Sequence, residues 1–256
     1  MNKSLFGKIF EVEKPIIAML HVFEGRKQDQ IRQVLEDLGR LQPHVDGVIV
    51  ENYGFGYFDP NNATREMASR LLEITQAVIQ KANIPVGINV LPNDYWKAFH
   101  IAGATGARFV QLDHVTGQFV GCKQVNPKEL LKIRRLHPEV ALLGGIHPKY
   151  YRLANPCTSI SESAISAMAL CDAVVVTGDY TGGAVKLEDL MLVKHAIGAH
   201  PVLVGSGLNA QNAKDQLFIA DGAIVGTSTK KRGVQKDEPV DEDMVKKLMK
   251  EVAKLR

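Results

Sequence analysis

The sequence has few cysteines and no long apolar run, and neither sign of charge predominates. Its cysteines, Cys122, Cys157 and Cys171, are odd in number and form no CxxC pair, which argues against a disulfide framework or a zinc site. No apolar run approaches the roughly 20 residues that a membrane-spanning helix needs. The N-terminal residues show no secretory signal. These absences predict a cytoplasmic protein.

The charge balance of the chain is close to neutral. Lysine and arginine number 31, aspartate and glutamate number 28, and the net charge is +3 with neutral histidine. A protein that binds duplex nucleic acid usually carries a clear basic stripe, so nucleic acid is not an expected partner. No linker or low-complexity tract divides residues 1–256, so a single domain is expected.

Short apolar runs rich in valine and isoleucine alternate with longer amphipathic segments along the chain. Their starts lie roughly 20 to 40 residues apart, the length of a βα unit. Continuous apolar runs suit strands that are buried on both faces of a parallel sheet. The runs predict strands near 16–22, 47–52, 85–91, 109–115, 140–147, 173–178, 201–207 and 222–228. Such a chain predicts an α/β fold, the (β/α)₈ or TIM barrel.

The segments between these runs carry helical patterns. Asn126 with Pro127, and Ser159, are typical first residues of helices. Apolar residues at helical spacing predict helices over 29–41, 63–82 and 244–255. A doubly wound open sheet is the alternative architecture, but such sheets commonly use fewer strands.

Small residues follow the last two predicted strands, where TIM barrels often bind a phosphate group. Such residues let backbone N–H groups approach an anion closely, although tight turns would also explain them. Residues 205–210 fit the dinucleotide pattern GxGxxA, but they follow the seventh predicted strand rather than the first. The predicted phosphate-binding residues are Gly205, Ser206, Gly207, Gly226, Thr227 and Ser228.

Most of the other predicted strands end in polar residues, which a TIM barrel places around its catalytic face. Side chains alternate along a strand, so only about half of them can point inward. The pairs Glu51/Asn52 and Asp113/His114 leave open which member does. The candidate acid–base residues are Glu51, Asp113 and His147. The candidate substrate-binding residues are His21, Asn52, Asn89, Asn93, Asp94 and Thr177.

Other roles remain open for several of these residues. Asp94 could cap the helix that follows it, and each histidine could be a hydrogen-bonded loop residue. His21, Asp113 and His147 could together bind a divalent metal ion, although no HExxH-type spacing is present and no cofactor is firmly implied. Lys149 could pair with a phosphate or carboxylate group, but it is expected to be a solvated loop residue. No predicted strand contains a lysine, which disfavours a Schiff-base aldolase.

Five segments of the chain resemble the BtpA/SgcQ family. They are DGVIVENYG, PVGINVLPND, DAVVVTGDYTGG, VLVGSGLNAQNA and DGAIVGTSTKKRG. The resemblance covers nearly the whole chain and implies a barrel similar to the ribulose-phosphate-binding barrels. The family is named for photosystem I biogenesis in photosynthetic members, so the resemblance also implies an assembly role as an alternative to catalysis.

Three functions therefore remain open. The favoured one is an enzyme (an isomerase, epimerase, lyase or phosphate-ester hydrolase) acting on a sugar phosphate or a nucleotide-like compound. The others are an assembly factor for a membrane complex and a non-catalytic protein that binds a phosphorylated ligand. A homo-oligomer is expected, since closed homo-oligomers are common. The basic amphipathic helix over 244–255 is expected to pack on the barrel rather than on a membrane surface.

Overall fold

The computed structural model of the chain describes residues 4–54, 62–232 and 238–256. Eight parallel strands form a closed barrel in chain order. They are β1 (Ile16–His21), β2 (Gly47–Glu51), β3 (Val86–Asn89), β4 (Phe109–Leu112), β5 (Ala141–Ile146), β6 (Ala173–Val176), β7 (Val202–Val204) and β8 (Gly222–Val225). Ile16 lies opposite Ala223 where β8 closes on β1. The predicted (β/α)₈ barrel is confirmed, and the alternative of an open sheet is wrong.

Helices connect the strands and precede the first of them. They are α1 (Leu5–Ile9), α2 (Lys27–Leu41), α3 (Arg65–Ile79), α4 (Tyr95–Thr105), α5 (Pro127–Leu136), α6 (Ile160–Met168), α7 (Leu187–Ile197), α8 (Ala213–Ile219) and α9 (Glu242–Val252). The Asn126 side chain caps α5, and Ser159 forms a capping box with Glu162 at the start of α6. The helices predicted over 29–41, 63–82 and 244–255 are therefore present as α2, α3 and α9, with shifted ends.

Several strands end earlier than the sequence pattern predicted. β4 ends at residue 112 rather than 115, β7 at 204 rather than 207, and β8 at 225 rather than 228. Gly207 leaves the β region with a φ of +69°, and Thr227–Thr229 form a 3₁₀ turn. The small and polar residues after these strands therefore lie in loops at the C-terminal rim of the barrel.

The lumen of the barrel is apolar over much of its length and closed at its N-terminal end. Phe6, Ile9 and Phe10, in α1 and just after it, join the lumen cluster, and the Phe10 ring lies 5.4 Å from the Phe109 ring. The strand residues of this cluster are Ile17, Met19, Ile49, Phe109, Ala141, Leu143, Ala173, Val175, Leu203 and Ile224. Polar groups are thereby confined to the opposite, C-terminal end.

The C-terminal helix α9 packs its apolar face on the barrel layer, as expected. Val245, Leu248 and Val252 are buried there. Burying this face satisfies the amphipathic pattern without a membrane. None of the helices in the described ranges has the length and apolar character that a membrane crossing requires.

Candidate functional site

A cavity of about 540 Å³ opens at the C-terminal end of the barrel. Pockets for small molecules usually measure about 300–1,000 Å³, so its size suits a compact metabolite. Ten of the predicted site residues line it: His21, Glu51, Asn89, Asp113, Thr177, Gly205, Ser206, Gly207, Gly226 and Thr227.

Strand alternation decides which member of each polar pair faces this cavity. Glu51 lies two residues after Ile49, whose side chain is in the barrel lumen, so Glu51 also points inward. Its neighbour Asn52 is fully buried, and its side chain bonds the backbone N–H and C=O of Leu91 at 2.8 and 3.1 Å. Asn52 therefore holds the β3 loop in place rather than facing the cavity.

Glu51 is a buried carboxyl group in the cavity wall. Its Oε1 accepts a hydrogen bond from Asn89 Nδ2 at 2.8 Å. Burial, followed by the nearby charge of Asp113, raises the pKa of Glu51 to about 8, against the opposing effects of Lys149, the Asn89 bond and Lys230. Glu51 therefore carries a proton at neutral pH and can exchange it near that pH.

Asp113 is the second buried carboxyl group of the cavity. Tyr151 donates its hydroxyl hydrogen to Asp113 Oδ2 at 3.1 Å, and Asn89 Nδ2 lies 3.5 Å from Asp113 Oδ1. Burial raises the pKa of Asp113, and these two hydrogen bonds oppose the rise. Two such carboxyl groups do not both ionise readily. We assign the proton of the pair to Glu51 and the charge to Asp113, because Tyr151 donates a hydrogen bond to Asp113.

His21 is a neutral imidazole beside this pair. Its Nε2 lies 3.6 Å from Glu51 Oε2, too long for a hydrogen bond. Burial, and then the positive charges of Lys230 and Lys149, lower the pKa of His21 to about 3. Its Nδ1 has no hydrogen-bond partner within the described part of the chain. His21 can therefore hydrogen-bond a ligand without contributing charge.

Two lysines line this cavity, of which the sequence interpretation missed Lys230 and expected Lys149 to be solvated. Lys149, expected to be solvated, lines the cavity and is close enough to affect the pKa of Glu51 and of Asp113. Lys230 also lines it, is buried, and has its ammonium 4.7 Å from the centre of the Phe23 ring. Lys230 directly follows the small residues after β8, and that adjacency was the available sequence signal. The cavity therefore combines acidic and basic groups.

The loops after β7 and β8 contribute small residues to the cavity wall. Ser206 Oγ accepts from the Gly178 amide at 2.7 Å and donates to Gly183 O at 3.0 Å, so this hydroxyl fixes the loop after β6. Within the described residues, the amides of Gly207 and Thr227 have no hydrogen-bond partner. Unpartnered amides at small residues are groups that can bind a phosphate oxygen.

Other predicted residues have structural contacts outside this cavity. Asn93 bonds the backbone N–H and C=O of His114 at 3.1 and 3.0 Å. Asp94 caps α4 by accepting from the Lys97 amide at 3.1 Å, and it also pairs with Lys97 Nζ at 2.6 Å. Ser228 does not line the cavity. Asn93 and Asp94 therefore position loop segments and line a smaller neighbouring cavity rather than the wall of this one.

His147 was predicted to face the site, and it does not line the cavity. Its φ of +44° breaks the strand alternation, and its Nε2 lies 2.9 Å from Ser163 Oγ on α6. His147 therefore cannot join His21 and Asp113 in a metal site. Across residues 4–54, 62–232 and 238–256, no group of three or more His, Cys, Asp or Glu side chains is arranged to hold a metal ion.

The contacts of Asp94 lead to a stability prediction. Replacing Asp94 with Ala removes the α4 cap and is expected to lower the free energy of unfolding by about 1 kcal/mol. Phosphate binding in the cavity should not change, because Asp94 does not line it. Urea unfolding and phosphate titration of the variant check both expectations. A variant with parent stability and weakened phosphate binding would contradict the structural role.

Several known sequences are similar to this chain over most of its length. A sequence model of the BtpA family matches residues 12–254. The photosystem I biogenesis protein BtpA of Synechocystis sp. is 31% identical over 238 residues, which cover 88% of this chain and 83% of that protein. An uncharacterized protein of Pyrococcus furiosus is also 31% identical, over 86% of this chain and 88% of its own length. An uncharacterized mitochondrial protein of Caenorhabditis elegans is 34% identical over 83% and 80%.

Solved structures with a similar fold include two enzymes of phosphorylated compounds. N-(5'-phosphoribosyl)anthranilate isomerase from Pyrococcus furiosus superposes with a TM-score of 0.60 at 17% identity, over 94% of this chain and 99% of that one. Thiamine phosphate pyrophosphorylase from the same organism gives 0.60 at 16% identity, over 94% and 96%. At these identities the likeness shows the fold alone.

Proposed function

The chain belongs to the BtpA family, and on that premise we propose that it is an enzyme that transfers protons on a phosphorylated small molecule such as a sugar phosphate. One observation carries the proposal. A single cavity holds the buried Glu51/Asp113 pair together with the unpartnered amides of the loops after β7 and β8. Two solved TIM barrels of similar shape are named for phosphorylated compounds, which supports a phosphate-bearing substrate.

The loop amides would position the substrate. The amides of Gly207 and Thr227 bind the phosphate oxygens, and Lys230 adds positive charge nearby. An anion held by backbone amides is fixed in orientation without large side-chain movement. Thr177 and His21 line the same cavity and can bond substrate hydroxyl groups. The rest of the substrate then extends toward the carboxyl pair.

The carboxyl pair would move the protons. Asp113, the ionised member, accepts a proton from a carbon next to a carbonyl group, and Glu51, the protonated member, donates its proton to that carbonyl oxygen. The product is an enediol. Glu51 then takes up the proton of the second enediol hydroxyl while Asp113 gives its proton to the former carbonyl carbon, which completes an isomerisation. Lys149 stabilises the negative charge that develops on the oxygen. Because Glu51 has a pKa of about 8, it can give up and regain a proton near neutral pH.

Hydrogen exchange with solvent tests this proposal without knowledge of the product. The protein is incubated in D₂O with a panel of aldose and ketose phosphates, and deuterium in carbon-bound positions is measured by mass spectrometry. We expect incorporation into at least one compound. Glu51→Gln and Asp113→Asn should each reduce the rate by about 100-fold or more, whereas Glu162→Gln, on the exposed surface of α6, should match the parent.

Two results would contradict the proposal. One is the absence of deuterium incorporation across the whole panel. The other is incorporation that persists at the parent rate in both Glu51→Gln and Asp113→Asn, because the carboxyl pair would then have no part in proton transfer.

A role in assembly is the second candidate function. It is favoured by the 31% identity to a relative named for photosystem I biogenesis. A scaffold of this kind would bind a partner through the outer surface of the barrel and would need no proton transfer. In that case the D₂O experiment shows no incorporation, and partner capture is insensitive to Glu51→Gln.

A further inference from the structure

We propose that a second, smaller cavity beside the main one binds a planar ring of the substrate, which would make the substrate a sugar phosphate that carries one heteroaromatic ring. This side pocket has a volume of about 110 Å³, and its wall includes Pro92, Tyr95, Trp96, His114 and Tyr151. The proposal rests on the proposed function, because the phosphate end of the same molecule would occupy the main cavity.

The side pocket adjoins the main cavity. Pro92 and Tyr151 line both of them. The Tyr151 hydroxyl donates to Asp113 in the main cavity, while its ring meets the His114 ring edge to face at 5.4 Å. A molecule anchored by its phosphate in the main cavity would thus reach the side pocket past Tyr151, next to the carboxyl pair.

The size of the side pocket limits what it accepts. A cavity of about 150 Å³ accommodates benzene, so one of about 110 Å³ has room for one small ring at most and excludes a fused pair. Tyr95 and Trp96 contribute aromatic walls, and their ring centres lie 6.2 Å apart. Aromatic walls favour a flat ligand.

His114 supplies a polar group that the fold leaves unused. It is 1% exposed, and its Nδ1 has no hydrogen-bond partner in the described residues. The ring is held by Phe119, at 4.6 Å between ring centres, while Asn93 holds the His114 backbone. Burial lowers the pKa of His114 to about 4, so the imidazole is neutral. His114 therefore adds a neutral, hydrogen-bonding side chain to the wall of the side pocket.

Trp96 reports occupancy of the side pocket directly, because it is the only tryptophan of the chain. The parent protein is titrated with ribose 5-phosphate, uridine 5'-monophosphate and uracil, and tryptophan fluorescence and calorimetry are recorded. We expect the mononucleotide to bind about tenfold or more tightly than ribose 5-phosphate. We also expect the mononucleotide and uracil, but not ribose 5-phosphate, to change Trp96 fluorescence. His114→Phe should abolish these differences and leave ribose 5-phosphate binding unchanged.

The three probes separate failure of this proposal from failure of the proposed function. In one outcome, ribose 5-phosphate binds as tightly as the mononucleotide, and neither the mononucleotide nor uracil changes Trp96 fluorescence. The side pocket is then not a ring site, but the phosphate site in the main cavity is supported. If neither phosphate compound binds, the main-cavity proposal fails. In that case the uracil titration still tests the side pocket. A change in Trp96 fluorescence that His114→Phe removes would support the ring site, and an unchanged fluorescence would overturn it.

Discussion

A Glu51→Gln variant is expected to be more stable than the parent protein at pH 7, and the gain should be absent near pH 4. In the unfolded chain Glu51 titrates near 4.5, and in the folded protein its pKa is about 8. The folded state therefore binds more protons between these values, so the stability that protonated Glu51 contributes is complete below pH 4.5 and is lost as the pH rises to about 8.

Glutamine removes this loss because it has no proton to give up. Each pH unit between the two pKa values is worth about 1.4 kcal/mol, so the free energy of unfolding of the variant relative to the parent should rise by about 3 kcal/mol from pH 4 to pH 7. Urea unfolding at several pH values measures the difference. Glu51→Gln should also lose the deuterium exchange of the parent protein. The Glu51 carboxyl would then be a group that activity requires and that lowers the stability of the folded protein at neutral pH.

Glu162→Gln is the matched control for this measurement. Hydrogen bonds from the Ser159 amide and hydroxyl lower the pKa of Glu162. The contribution of Glu162 to stability is therefore present above pH 4.5 and is lost below it. The stability of Glu162→Gln relative to the parent should fall as the pH rises, opposite to that of Glu51→Gln. A Glu51→Gln difference that stays flat from pH 4 to pH 8 would show that the Glu51 carboxyl is not held protonated.

The barrel and most of its polar rim could be predicted from the sequence because a buried parallel strand has an unmistakable apolar pattern. The sequence could not show which member of Glu51/Asn52 or of Asp113/His114 faces inward. That choice depends on the phase of each strand relative to the barrel axis, which the pairing of β2 with β1 and β3, and of β4 with β3 and β5, sets. The phase places Glu51 and Asp113 in the cavity and turns Asn52 and His114 away.

The residues that sequence reasoning misplaced lie in loops, where no periodicity applies. His147 was expected at the site, but its positive φ turns it toward Ser163, and Lys149 takes a position in the cavity wall. Lys230 is buried in spite of its charge, and its ammonium makes a cation–π contact with the Phe23 ring. Loop geometry of this kind depends on tertiary contacts that lie far apart in sequence.

A Gly207→Ala variant is expected to lose phosphate binding by at least about tenfold and to lose more stability than a Gly106→Ala variant. Both glycines have positive φ, +69° and +84°, so alanine costs each about 1 kcal/mol of backbone strain. They differ in their surroundings. A Cβ at Gly106 meets nothing within 4 Å, whereas at Gly207 it would lie 2.3 Å from Gly183 O and 2.4 Å from the Ala184 nitrogen. The neighbouring loop must therefore move, and the Gly207 amide moves with it.

Calorimetric titration with inorganic phosphate, together with thermal unfolding, separates these effects. Gly106→Ala should bind phosphate like the parent despite its lower stability, so lost binding in Gly207→Ala cannot be attributed to destabilisation alone. Gly182→Ala, in the neighbouring loop after β6, is a milder test. The atoms nearest to its Cβ would belong to the flexible Thr227 side chain, at 3.1 Å or more, so it should weaken phosphate binding by a smaller factor. If Gly207→Ala and Gly182→Ala both fold and bind phosphate as tightly as the parent, the anion binds elsewhere. A shift of these loops must disturb phosphate binding if the amides of Gly207 and Thr227 hold the anion.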